Sequence, residues 1–216
     1  NMSIQNIIND CSELVISKNR MVGTVVTRSG RIKTTTVPTA QPFQFAVTYA
    51  PGYRFENRRG MTAELDFLST GFSEDIDIGR SELGLSWITG YQGDYSQSQL
   101  DAIDITTVTD SNQITLTTSH NPGGYLFKAG DYIQPNVGGY RYPYEVVADV
   151  PSVLGAVTVT LNRPVLESDT ITLNSPIHVG TAVTWRVKMI TKPDITLSSD
   201  RFLQYGGAFS LIEVIA

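Results

Sequence analysis

The chain has one cysteine, Cys11, in 216 residues. A single thiol cannot close an internal disulfide, so the fold must hold by packing and hydrogen bonding, and the usage fits a reducing compartment. Histidine is almost as scarce. His120 and His178 are the only two, each beside a turn (SHNPGG and PIHVG), and no further cysteine or histidine completes a ligand set, so no metal is expected. Charge is thin as well: 17% of residues are Asp, Glu, Lys or Arg, where about 25% is usual. A net charge of −5 with no long basic run argues against a phosphate-binding surface, and no sequence-specific nucleic-acid recognition is expected; Arg54, Arg58 and Arg59 make only a short cluster. No apolar run is long enough to span a bilayer and no leader pattern is present, so no membrane partner is expected.

Patterns that carry chemistry are missing too. There is no G-x-S-x-G around a nucleophilic serine and no G-x-x-x-x-G-K-[ST] phosphate loop. SEDIDIG (73–79) concentrates Glu74, Asp75 and Asp77 but lacks the spacing of a calcium loop, and reads as an acidic turn and strand. Asp75, Asp77 and Glu82 have no partner carboxylate at a defined separation, as glycan hydrolysis would need. The Gly-Gly pairs at 123–124, 138–139 and 206–207 precede no helix and suit β-turns rather than a phosphate cradle. The chain is therefore expected to have no catalytic residue and no cofactor, and not to be an enzyme.

What is abundant is Thr, Ser, Gly, Val and Ile, a β-rich profile that also suits a surface largely covered by neighbours. SIQNIINDCSEL (3–14) places Ile4, Ile7, Ile8 and Cys11 on one stripe and predicts a short helix. LVISKNRMVGTVVTRSGRIKTTTV (14–37) turns to Val and Thr, with a Ser29-Gly30 turn between strands. QPFQFAVTYAP (41–51) alternates Phe43, Phe45, Val47 and Tyr49, a strand. FENRRGMTAELDFLSTGF (55–72) carries Met61, Leu65 and Leu68 on one stripe and predicts the main helix, capped by Asn57 and ended by Gly71. SEDIDIG and ELGLSWITGYQG (82–93) return to alternation. TAVTWRVKMITKP (181–193) reads as a long strand, and 195–216 as another.

From Asp101 the pattern changes to short Thr/Val strands at even spacing, the pattern of a small β-barrel or sandwich. We read residues 1–100 and 179–216 as one discontinuous β-domain with one packed helix, and 101–178 as a small β-domain inserted into it. Within that insert, Tyr125, Tyr132, Tyr140, Tyr142 and Tyr144 crowd together. Tyr140, Tyr142 and Tyr144 share a face if the segment is extended. They suit core packing, a protein–protein contact, or a sugar platform with Asp131 and Asn136 near by.

The order of features over residues 3–93 and, by strand type, 179–216 resembles structural proteins of tailed-bacteriophage tails, in particular the tail-tube-like hub or baseplate proteins of contractile-tailed phages. It is carried by SIQNIINDC, by Asn19-Arg20 followed by the Thr27-Arg28-Ser29-Gly30-Arg31 turn, by Pro42-Phe43-x-Phe45, by the Tyr53–Arg58 approach to the helix and by the Gly90-Tyr91-Gln92-Gly93 exit. The resemblance implies a tail-tube-like β-sandwich or barrel whose subunits join edge to edge in a ring. It implies a virion (tail) location after synthesis in the host cytoplasm, with other tail and baseplate proteins as neighbours. The insert implies a specialised ring at the distal end of the tube. Tyr140, Tyr142, Tyr144, Arg58 and Arg59 are the contact residues expected on this reading. The competing expectation is a carbohydrate- or receptor-binding β-module on the particle.

Overall fold

A computed structural model describes residues 4–18, 22–26, 32–36, 42–50, 52–68, 71–79, 84–137, 140–166 and 168–215. The Ser29-Gly30 turn, Leu83 and the Gly138-Gly139 pair lie outside them. The described chain is mainly β, in several sheets, none of them closed into a barrel.

Along the chain, α1 (Ile4–Asn9) precedes β1 (Glu13–Lys18), β2 (Val22–Val26), β3 (Ile32–Thr36), β4 (Phe43–Thr48) and β5 (Tyr53–Arg54). Then come α2 (Phe55–Leu68), β6 (Ser73–Ile76) and α3 (Gln97–Leu100). The short strands follow: β7 (Asp104–Asp110), β8 (Gln113–Thr118), β9 (Tyr125–Phe127), β10 (Tyr132–Gln134), β11 (Asn136–Val137), β12 (Tyr140–Arg141) and β13 (Tyr144–Glu145). After these are β14 (Val150–Pro151), β15 (Gly155–Thr160), β16 (Ser175–Pro176) and β17 (His178–Val179). The chain closes with β18 (Trp185–Thr191), β19 (Asp194–Leu197), β20 (Phe202–Gly206) and β21 (Phe209–Glu213).

Two compact units result. Unit 1 comprises residues 1–19, 42–85 and 185–216; unit 2 comprises 20–41 and 86–184. The sequence reading placed the joints at 100/101 and 178/179.

Unit 1 is built on a five-stranded antiparallel sheet in the order β1-β4-β21-β18-β6. A period of two puts Phe43, Phe45 and Val47 of β4 on the same face as Phe209 and Leu211 of β21 and Trp185 and Val187 of β18, and all seven are buried. Trp185 meets the rings of Phe43 and Phe45 edge-on, with centroids 6.2 and 6.0 Å away, the geometry favoured by the ring quadrupoles. Ile4, Ile7 and Ile8 of α1 and the adjoining Cys11 are buried as the helical stripe requires. A second sheet, β19-β20-β5, buries Leu203 and Tyr205.

Two expected strands are replaced. The segment 195–216 holds three strands rather than one, because the turns 198–201 and 207–208 interrupt its alternation; Arg201 (φ 65°) and Gly207 (φ 94°) take the left-handed conformation there. ELGLSWITGYQG forms no ladder among the described residues: Leu85–Trp87 is a 3-10 turn and Gly84 has φ 70°. Gly93 in it serves a close approach instead. A Cβ on Gly93 would lie 2.6 Å from the Leu126 carbonyl oxygen, so only glycine fits.

Unit 2 holds the sheets β15-β8-β7-β16 and β13-β10-β17, with three strand pairs, β9-β14, β11-β12 and β2-β3. Ile105, Ile114, Leu116 and Val159 alternate into its core, alongside Leu126, Phe127 and Ile133. The opposite face carries threonines, whose hydroxyls link Thr109 to Thr115 (2.6 Å) and Thr115 to Thr158 (3.5 Å), the one-face-solvated form of an antiparallel sheet.

Candidate functional site

Among the described side chains, the tyrosines of the cluster do not form one exposed face. Tyr142 and Tyr144 are 1% and 0% exposed. Tyr144 Oη accepts the Leu166 N–H at 2.8 Å, and the Arg163 guanidinium lies over its ring at 5.2 Å. Arg163, itself buried, donates from Nη2 to the Pro143 carbonyl at 2.8 Å. As contact residues in this structure these two tyrosines are corrected to core residues. The physical reason is local: β12 ends at Arg141 and β13 starts at Tyr144, with Pro143 between them, so 140–144 is not one extended strand and the shared face dissolves. Tyr140 pairs with Val137 across β11 and β12, and its side chain lies outside the described set. Tyr132 is buried too. Among the described side chains Tyr125 is the exposed member, 41% open, with Lys128 Nζ 5.7 Å from its ring centre.

Asp131 is likewise not an open sugar acceptor. It is 2% exposed and its carboxylate accepts the N–H groups of Gln92 (2.9 Å) and Lys128 (2.8 Å). Burial pushes its carboxyl up from the usual range, against the lowering effect of those two bonds. Its role is to fasten the 89–95 segment to the turn before β10. Tyr91, whose Oη donates to the Leu126 carbonyl, ties the same segment to β9, and burial pushes its phenol up to about 12. Asn136 is exposed on β11.

Of the two arginines, Arg58 is engaged within unit 1. Its guanidinium pairs with Asp10 and stacks on the Tyr53 ring at 4.5 Å, linking α2 to the segment after α1. Arg59 is exposed.

Other surfaces present themselves. The edges of the five-stranded sheet differ. Beyond β6, the Gln5 amide bonds both backbone groups of Asp77, donating to its carbonyl at 2.9 Å and accepting its N–H at 2.6 Å, and the Ile4 N–H reaches Glu74 Oε2 at 2.6 Å. That edge is blunted by α1. β1, at the other end, has no strand on its far side among the described residues, and Val15 on it is 48% exposed. An open apolar edge is a template for another strand. Unit 1 also carries a cleft of about 310 Å³ lined by Phe55, Glu56, Leu197, Ser198, Arg201 and Phe202. Leu197 and Phe202 are 59% and 41% exposed, and Arg201 and Glu56 pair at 3.3 Å on its rim. In unit 2, Trp87 is 75% exposed. Sequence alternation could not mark these residues, because it assigns a face but not whether that face is covered.

In the cleft the Ser198 hydroxyl donates to the Phe202 carbonyl at 3.3 Å and Glu56 pairs with Arg201, and among the described residues no three or more possible ligands gather as a metal site. These surfaces offer exposed apolar area, at Leu197, Phe202 and Trp87, and a strand edge at β1 with no neighbour among the described residues. No family model matches the sequence, and no curated protein matches it either.

Proposed function

We propose that this chain is a structural component of a bacteriophage virion tail, forming a ring at the tail tube or baseplate hub by self-assembly and contacting neighbouring baseplate proteins. The observation that carries the self-assembly reading is the asymmetry of the five-stranded sheet: α1 bonds Glu74 and Asp77 at the β6 side, while β1 has no strand on its far side among the described residues and Val15 on it is exposed. An edge left bare on a free protein invites aggregation, and a ring resolves it by supplying a neighbour. The low charge content supports the same reading. The tail assignment rests on the resemblance over residues 3–93. Val15→Lys tests the edge. Val15 is half exposed, so the subunit should keep its fold and lose assembly; a variant that assembles like the parent rejects the β1 edge as the contact.

A second reading, a carbohydrate- or receptor-binding module, draws on Tyr125, whose open ring sits beside Lys128 and the Gly123-Gly124 turn. A glycan screen in which Tyr125→Ala abolishes a wild-type signal would favour it.

A further inference from the structure

Three passes of the chain run through both sheets of unit 1. β4 leads to β5, β20 to β21 and β18 to β19, and the order is kept: β4-β21-β18 in the five-stranded sheet, β5-β20-β19 in the second. β1 adds to the first pass. On the third pass β6 pairs with β18 from Trp185 to Lys188 and stops short of β19. Among the described residues, β1 and β19 therefore each lack a neighbour on one side, at opposite ends of the series. In an antiparallel ladder, hydrogen-bonded and non-bonded pairs alternate. The Thr48 carbonyl accepts the Ser12 N–H at 2.8 Å, while the Phe43 N–H goes to Glu213 of β21 at 3.0 Å. Thr48 and Ala46 thus face β1, and Leu14 and Ile16, opposite Val47 and Phe45, turn their N–H and C=O to the open side. In the second sheet the Ser198 N–H donates to the Phe202 carbonyl at 3.0 Å. Thr196 is then bonded to Gln204, and Ile195 and Leu197 turn their backbone groups outward. The side chains follow the same parity. Leu14 and Ile16 share the face of the buried Val47 and Phe45, and Ile195 and Leu197 that of the buried Tyr205 and Leu203, yet Leu197 is 59% exposed.

We propose that β1 of one copy pairs antiparallel with β19 of a second copy, Leu14 opposite Leu197 and Ile16 opposite Ile195. The inference rests on the self-assembly reading above and names both edges and their register. Only residues that turn backbone groups outward close a bonded pair, so Leu14 and Ile16 meet Ile195 and Leu197. The same pairing brings the buried faces of the two sheets to one side, because directly opposed residues share a face. Sliding β19 by two residues one way sets Ile16 against Pro193, which has no N–H to give. Sliding it the other way sets Lys18 against Ile195 and carries Leu14 past the end of β19. The register between them opposes apolar to apolar at both places and sets Val15 against Thr196 on the other face. Two different edges meet, so the contact is heterologous, and its repetition generates a ring or a filament rather than a closed dimer. Every copy carries both edges, so each one added offers the site for the next.

The test uses thiol pairs in the full chain. Cys11 is 1% exposed, so the parent chain serves as the blank. Tagged Val15→Cys is mixed with untagged Thr196→Cys and oxidised with diamide, at a concentration where light scattering shows the parent associated. In the proposed register these two positions form a non-bonded pair with Cα atoms about 4.5 Å apart, inside the range of about 4.4–6.8 Å that a disulfide spans. Asp194→Cys, two residues along on the same face, lies beyond the limit of about 7 Å and is the off-register partner. The expected result is a mixed disulfide of Val15→Cys with Thr196→Cys, formed well ahead of any with Asp194→Cys. Leu197→Lys should also weaken association roughly tenfold or more, about what burying one leucine side chain contributes, with the unfolding midpoint of dilute samples unchanged. Equal cross-linking to Asp194→Cys, or none to either, with a parent that still associates overturns this contact and leaves self-assembly standing. Disulfides only between two Val15→Cys chains assign β1 to a two-fold pairing with itself and overturn it too. A parent chain that stays monomeric at every concentration overturns both this contact and the reading it rests on.

Discussion

The Gln134 side chain pairs with the backbone of Thr184 as a strand would: Nε2 donates to the Thr184 carbonyl at 2.6 Å, and the Thr184 N–H donates to Oε1 at 3.0 Å. Gln134 is fully buried, and its amide closes unit 2 at the point where the chain leaves for β18. Gln134→Ala removes a donor and an acceptor at once. The loss should be about 2 kcal/mol, since each buried group left unsatisfied costs about 1–3 kcal/mol and Thr184 is partly open to water. Gln134→Glu should lose more at neutral pH and recover towards acid pH, where a protonated carboxyl donates as the amide does. Urea unfolding of unit 2 reads both; a neutral effect in each variant would remove the pairing from the account.

The two tryptophans occupy opposite environments, Trp185 fully buried between Phe43 and Phe45 and Trp87 75% exposed. Trp87→Phe should therefore abolish the iodide-quenchable, red-shifted part of the emission and leave the blue component. Trp185→Ala should cost about 3–5 kcal/mol of unit 1 stability, the usual loss for a large aromatic removed from a core. Trp87→Ala should stay within about 0.5 kcal/mol. Quenchable emission surviving in Trp87→Phe would show Trp185 to be open.

Asp131 gives a pH dependence with a defined sign. Its folded pKa is raised by burial, so between the unfolded and folded values the folded chain holds more protons. Stability from this group is full below about 3.9, the unfolded carboxylate value, and is lost as pH rises through the raised folded value. The wild-type unfolding free energy, followed upward from about pH 3, should carry this falling component, and Asp131→Asn should remove it. Lys128 and Asp149 act on the carboxylate in opposite senses, so Asp149→Asn should narrow the window. Parallel curves for wild type and Asp131→Asn would refute the shift.

Neighbouring arginines should behave differently. Arg58→Ala forfeits the Asp10 pair and the Tyr53 stack, for about 1–2 kcal/mol, held to that by the 40% exposure of the Asp10 side chain. Arg59→Ala removes an exposed charge and should cost less than about 0.5 kcal/mol. Thermal unfolding of the two variants compares them directly, and equal losses would contradict the Arg58 linkage.

These contrasts mark what could be read from the sequence. The alternation of Phe43, Phe45 and Val47 and the stripe of Ile4, Ile7 and Ile8 were legible, because each depends only on a local period and the burial of one face. The pairing of β18 and β21 beside β4 completes that face from the far end of the chain. Tyr142 and Tyr144 misled, because Pro143 breaks the strand that would have put them on one face. Gln134 with Thr184 and Asp131 with Gln92 were invisible for another reason: fifty and thirty-nine residues separate the partners, and nothing in local composition distinguishes a buried amide or carboxylate from an exposed one. The exposure of Val15, Leu197 and Trp87 depends on which neighbours are absent, which no periodicity records.

The most direct test of the account is the mass of the purified chain by light scattering over a concentration series at low salt, with electron microscopy of the same samples. Self-assembly predicts a mass that climbs to a fixed whole-number multiple of the 23.7 kDa chain, with closed rings in the images. A monomer mass at every concentration, with no rings, would contradict it.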